Sequence, residues 1–168
     1  MRRKPVTAAE LLGSLDKNPE HKARVALREE QLRAFVATFQ EEEDAIAAEV
    51  AEVGYAISSV WDFVNNAPHP FLPRVFTGAY ERAYPILVRH LRLPHHKRIR
   101  EGIIRALTVK DGGALVADAL LAEFIAERNR SMRWVLANAL KQAMPIKQRK
   151  QHPEIALVYE QKGEPAQG

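Results

Sequence analysis

Laid over itself at an offset of 33 residues, the chain repeats. Residues 98–107 align with 131–140 so that apolar falls on apolar at 99/132, 103/136 and 107/140, Arg100 falls on Arg133, and Ala106 on Ala139. The preceding segments align at an offset of 34, with Ala83, Ile86, Leu87 and Leu91 over Ala117, Leu120, Leu121 and Ile125. A period of this size marks two-helix units. Neither unit buries its own apolar face, so stacking must supply the common core. Elsewhere apolar residues recur at three and four, and no stretch alternates with period two. The expected class is therefore all-α, a short solenoid of antiparallel helical pairs behind a long N-terminal helix.

The expected boundaries follow from caps and breakers. Thr7 with Glu10 forms a capping box for a first short helix ending near Asp16. Asn18-Pro19 opens a second helix that runs to about Val53, with Gly54 in the left-handed position that ends it. Along this helix Val25, Leu32, Phe39, Ile46 and Val53 stand seven apart, with Val36 and Val50 four residues after the second and fourth, while Glu29 and Glu43 interrupt the stripe. A complete coiled-coil seam needs those positions apolar too, so the stripe is expected to cover the end of the solenoid. A monomer is the expected state, and a homodimer through the long helix is the rival. Glu41 to Asp44 reads as a solvated face, and Glu20 with Arg24 and Glu29 with Arg33 as surface pairs.

After Gly54 comes a short helix capped at Ser58, followed by a proline-rich loop at 67–78 whose Phe71, Leu72, Val75 and Phe76 argue that it packs down. Further helices are expected at 79–92, 95–108, 113–128, 131–143 and 153–161, with Pro85 kinking the first of these or marking its true start. Asp111-Gly-Gly reads as a turn opening a helix. The first five residues and those from Gly163 are expected to be disordered. The organisation is one domain, with residues 7–54 the long-helix segment packed on the repeats and 55–162 the repeats themselves.

The second helix of each unit, Ile99-Arg100-x-x-Ile103-x-x-Ala106-Leu107 and Met132-Arg133-x-x-Leu136-x-x-Ala139-Leu140, resembles the inner helix of HEAT-like repeats. The whole order also resembles small bacterial HEAT-like proteins, through Val60 to Asn65, Pro85 to Leu91 and Arg98 to Ile103. The resemblance covers most of residues 7–145. It implies a HEAT-like solenoid and is nearly silent on function. The proline-rich loop and the basic carboxyl end depart from the pattern.

Inner helices of a solenoid line its concave side. Arg98, Glu101, Arg105, Trp134, Asn138 and Lys141 are therefore the candidate strip for a protein partner, Trp and Arg being enriched at interface hot spots. Arg100 and Arg133, repeated in register, read as structural. Charge offers a second reading. Residues 1–54 hold 8 basic and 11 acidic residues, and residues 55–168 hold 17 and 10. From Arg128 to Lys150 there are seven basic residues and no acidic one, and from Arg89 to Arg105 six oppose only Glu101. Sequence-independent nucleic-acid binding would use Arg92, Lys97, Arg98, Arg128, Arg130, Lys147, Arg149 and Lys150.

Catalysis is not expected. The chain has no cysteine, which excludes a thiolate metal site and a cysteine nucleophile. It also lacks a glycine-rich phosphate loop and a nucleophile elbow. His90, His95 and His96 invite a metal reading, but adjacent histidines after Pro94 are expected to point apart, with Glu101 the only carboxylate nearby in sequence. No metal or cofactor is expected. The absence of a signal-type segment and of any long apolar run predicts a soluble cytoplasmic protein.

Overall fold

The computed structural model describes Thr7, residues 18–64 and residues 78–160 of the chain. The expected first helix from Thr7 to Asp16, the loop residues Phe71, Leu72, Val75 and Phe76, and the tail from Gly163 lie outside the described residues. Those described are all-helical where regular, with no strand among them. No helix among them is long and apolar enough to cross a membrane. The chain divides into two units, residues 1–40 and 41–168.

In the first unit, α1 spans Pro19–Ala37, and the Asn18 side chain accepts from the backbone N–H groups of Glu20 and His21 as the Asn-Pro signal predicts. None of its residues is buried, and Val25 and Leu32 stand 40% and 60% exposed. The expected burial of the early seam is therefore corrected. Glu29 pairs with Arg33, both exposed, whereas Arg24 donates to His21 Nδ1 instead of meeting Glu20. The expected single helix to Val53 is corrected as well. It stops at Thr38, whose N–H and hydroxyl both bond Phe35 O, the hydroxyl at 2.7 Å. A side-chain bond of this kind competes with the helical ladder, and no glycine or proline advertises it. Phe35 and Phe39 meet edge to face at 5.3 Å.

The second unit opens within α2, Gln40–Glu52, which buries Ile46 and Val50 completely. Gly54 takes φ 95°, the left-handed turn the sequence predicts. There follow α3 (Trp61–Val64), a 3-10 turn at Glu81–Ala83, α4 (Tyr84–Leu91), α5 (Lys97–Ala106), α6 (Gly113–Ala126), α7 (Arg130–Ala143), α8 (Ile146–Arg149) and α9 (Pro153–Glu160). Pro85 sits in the first turn of α4, marking a start and not a kink. The cap of α3 is Ser59 and not Ser58, since Ser59 Oγ accepts from Trp61 N. Gly112 caps α6, and Gly113 has φ 58°.

Helices α4 and α5 pack as one pair and α6 and α7 as the next. The first helices of the two pairs touch, and so do the second helices. The offset of 33 holds throughout. In the second helices Ile99/Met132, Ile103/Leu136 and Leu107/Leu140 are all buried. In the first helices the buried partners are Ala83/Val116, Leu87/Leu120 and Leu91/Phe124. The expected offset of 34 there is corrected, because Ile125, which it would pair with Leu91, is 56% exposed. The N-caps obey the same spacing. His96 Nδ1 accepts from Arg98 N, and Asn129 Oδ1 accepts from Met132 N. So do the arginines, as Arg100 donates to Leu91 O at 3.2 Å and Arg133 to Phe124 O at 2.9 Å. Each ties its helix to the last turn of the helix before, where carbonyls lack intrahelical partners.

Burial separates the halves of the N-terminal stripe. Ile46→Ala is expected to cost about 2–5 kcal/mol by cavity formation, and Leu32→Ala to stay within about 0.5 kcal/mol of wild type. Urea unfolding of both variants checks this, and comparable losses would mean that α1 is buried in solution.

Candidate functional site

The six residues of the candidate strip divide into two groups, each engaged by a neighbouring element. On α5, Arg98 and Arg105 face the indole of Trp61, their guanidinium carbons 5.2 and 5.9 Å from the ring centroid. Glu101 accepts from Arg105 Nε at 2.9 Å, which holds that guanidinium in place. Between these residues lies Gly102, where an added Cβ would stand 2.5 Å from Val60 Cγ2 and 2.9 Å from Trp61 Nε1. The glycine thus lets α3 seat directly on α5. The Trp61 indole Nε1 is buried with no hydrogen-bond partner among the described residues. Arg98, Glu101 and Arg105 therefore hold the Trp61 ring, with both arginines still exposed at the surface. The signal available in the sequence was Gly102 itself, a glycine in mid-helix.

On α7, Asn138 donates to Trp134 O and accepts from the Tyr159 hydroxyl, while Lys141 Nζ sits 3.5 Å from the centroid of the Tyr159 ring. The C-terminal helix α9 thus covers this part of the strip. Burial raises the Tyr159 hydroxyl above its usual range against the opposing charge of Arg149, so it remains a neutral donor. Trp134 opens instead onto a groove of about 400 Å³ lined by Arg130, Ser131, Trp134 and Val158. A second concavity of about 500 Å³ lies among α7, α8 and α9.

The basic residues sort by what they meet. Arg89 pairs with Glu49, and Arg100 bridges Glu123 at 3.0 Å and Glu127 at 3.2 Å. With Arg98 and Arg105 on Trp61, four of the six cations between 89 and 105 contact a partner within the protein, although Arg89, Arg98 and Arg105 remain exposed alongside Arg92 and Lys97. Arg133 is committed too, to Phe124 O, Glu127 O and the Phe124 ring. Burial opposes ionisation of Glu127, but N–H donors from Asn129, Arg100 and Arg128 overcome it and hold its carboxyl below the usual range. In the 128–150 segment Arg128, Arg130, Lys141, Lys147 and Lys150 are exposed, and Arg149 is half-buried, donating to Lys141 O at 2.7 Å. Exposed basic charge not met by a carboxylate is therefore concentrated toward the carboxyl end.

The expectation that Glu101 is the only carboxylate near the histidines is corrected by the fold, which brings two from α2. His90 and His95 come together across the turn between α4 and α5. Their rings meet at 3.0 Å through Nδ1 and Nε2, and two carboxylates of α2 close the ends. Glu49 bonds His90 Nε2 at 3.0 Å, and Glu42 bonds His95 Nδ1 at 2.8 Å and the His96 N–H at 2.9 Å. Among the described residues no cluster of three or more His, Asp or Glu side chains converges as a metal cage would. The acidic run at 41–44 is likewise not one solvated face. Glu43 is 7% exposed and accepts from Ser59 Oγ at 2.9 Å, and burial raises its carboxyl. No local pattern in the sequence announces pairings that span more than forty residues.

Proton counting constrains this chain of groups. With both carboxylates ionised, three hydrogen bonds need three ring protons, and two neutral imidazoles carry only two. Burial pushes His90 from 6.5 down to about 4, with the charges of His95 and Arg89 adding to the effect, so His90 is the neutral ring. Burial alone would raise Glu42, yet the bonds from His96 N–H and His95 leave it lowered overall.

Because folded His90 titrates lower than the unfolded side chain, the unfolded state binds the extra proton between about pH 6.5 and 4. Its contribution is complete above pH 6.5 and is lost as pH falls toward 4, up to about 3 kcal/mol. Urea unfolding from pH 4 to 7 should show this slope in the wild type and a flatter one in His90→Gln. Superimposable slopes would assign the acid sensitivity to other groups.

No protein-family model, curated protein or solved structure matches this chain.

Proposed function

We propose that the protein is a non-enzymatic, HEAT-like helical scaffold that binds a protein partner through the groove between α7 and α9. The observation that carries the reading is the groove at Trp134. It is a concavity of about 400 Å³ with an indole and Val158 for walls and Arg130 at its rim, on a stretch of chain from 128 to 150 that has no acidic residue. A large aromatic side chain beside an arginine is the composition of interface hot spots. Charge complementarity favours one kind of occupant, a peptide segment that inserts an apolar side chain and flanks it with acidic residues. Relative to the full inner-helix strip this narrows the surface. Arg98, Glu101 and Arg105 contribute by holding Trp61, and Asn138 and Lys141 by holding α9.

Affinity capture with tagged full-length protein tests the reading. A partner retained by wild type should be lost with Trp134→Ala or Arg130→Glu, each weakening binding by about thirtyfold or more if the groove is the hot spot. The exposed Arg92→Glu variant should retain it. Capture unchanged by the two groove variants, both folded by thermal melting, would refute the assignment.

Nucleic-acid binding through Arg92, Lys97, Arg98, Arg128, Arg130, Lys147, Arg149 and Lys150 is the second reading, favoured by the exposed cations toward the carboxyl end. The engagement of Arg89, Arg98, Arg100 and Arg105 within the fold weakens it. It requires affinity that falls steeply with salt, so a gel shift without retained duplex or single-stranded nucleic acid at about 50 mM salt eliminates it.

A further inference from the structure

The second concavity lies where α7 ends, α8 turns and α9 begins. Its volume is about 500 Å³, and among the described residues its lining includes Lys141, Arg149, Lys150 and His152 and no carboxylate. Three permanent cations thus share one hollow, and their mutual repulsion meets no counter-charge among the described residues of its walls. The nearest acid in sequence, Glu154, is engaged with His152 Nδ1 at 3.1 Å. The polar groups are held in place. Arg149 is fixed by its 2.7 Å bond to Lys141 O, leaving the other guanidinium N–H groups to donate elsewhere. Lys141 Nζ rests on the face of Tyr159, whose hydroxyl is anchored to Asn138. The Lys150 side chain is exposed and makes no hydrogen bond or ion pair among the described residues. Beside the charges stand apolar walls, Ile146 at 65% exposure and the Tyr159 ring.

We propose that this hollow is a binding site for a small organic phosphate monoester. The dianionic phosphate lies among Arg149, Lys141 and Lys150, and the carbon portion of the ligand lies against Ile146 and Tyr159. Phosphate offers the charge that relieves the repulsion and enough acceptor oxygens for several N–H donors at once. The apolar walls select an organic ester over the free ion. The volume is that of small-molecule sites, roughly 300–1,000 Å³. A nucleic-acid backbone calls for charges spread along a track, whereas these converge on one hollow. The site is independent of the Trp134 groove and uses different residues, so failure of either assignment leaves the other standing.

Calorimetric titration of the full-length protein at about 50 mM salt with phenyl phosphate, inorganic phosphate and single-stranded oligothymidylate tests the proposal. Phenyl phosphate should bind at one saturable site and more tightly than inorganic phosphate. Lys150→Gln and Lys141→Gln should each weaken it roughly tenfold, the effect of losing one charge-assisted contact. Lys150→Gln should do so without moving the melting temperature, since that side chain makes no hydrogen bond or ion pair among the described residues. The proposal is overturned if phenyl phosphate shows no saturable binding by ~10 mM, or if Lys150→Gln binds it as wild type does. It is overturned equally if the oligonucleotide binds more tightly than phenyl phosphate and loses affinity in the same variants, which would make the hollow part of a nucleic-acid surface.

Discussion

The bond from a second-helix arginine to the last turn of the helix before it organises this protein. Arg100 reaches Leu91 O and Arg133 reaches Phe124 O, each nine residues back. A helix C-terminus carries partial negative charge and unpaired carbonyls, so a guanidinium there satisfies an acceptor and an electrostatic demand together. Fixing the two helices of a pair in this way sets which apolar residues face inward. Leu87 and Leu91 then meet the same environment as Leu120 and Phe124. Arg133 adds its stacking on Phe124, and Arg100 its two carboxylates on α6 and the turn that follows, so the second contact also bridges one pair to the next.

Charge in this protein has two destinations. Between residues 89 and 105 four of six cations contact Glu49, Glu101, Glu123, Glu127 or the Trp61 ring, with Arg89, Arg98 and Arg105 still exposed. Toward the carboxyl end it is left outward, around a groove and a hollow that flank α9. A sum over the sequence cannot distinguish these. Net charge describes the long-range field, whereas recognition depends on which cations lack an internal partner.

Helix positions, the turn at Gly54, the cap at Asn18 and the repeat in the second helices were legible because each rests on local chemistry or on apolar spacing within one helix. The register of the first helices was misread by one residue. Leu121 and Ile125 are as apolar as Leu120 and Phe124, and only packing decides which pair turns inward. The break at Thr38 was hidden because a threonine hydroxyl bonding Phe35 O leaves no compositional mark. At the candidate site Trp134 was legible as an aromatic on an otherwise polar face. The roles of Arg98, Glu101 and Arg105 were not, since Trp61 lies in a different segment and reaches them only through the fold. The pairing of His90 and His95 with Glu49 and Glu42 was invisible for the same reason.

Those histidine contacts differ from the arginine contacts in how far along the chain they reach. Glu42 and His95 are 53 residues apart, against nine for each arginine and its carbonyl. Closing the longer loop carries an additional entropic cost of roughly 1.5 kcal/mol on the logarithmic scaling of loop closure. On that scaling the contacts within the helical pairs close at lower entropic cost than the docking of α2. Hydrogen exchange should accordingly find α2 opening as a separate, less protected foldon, while the amides of α5 and α7 exchange only with global unfolding.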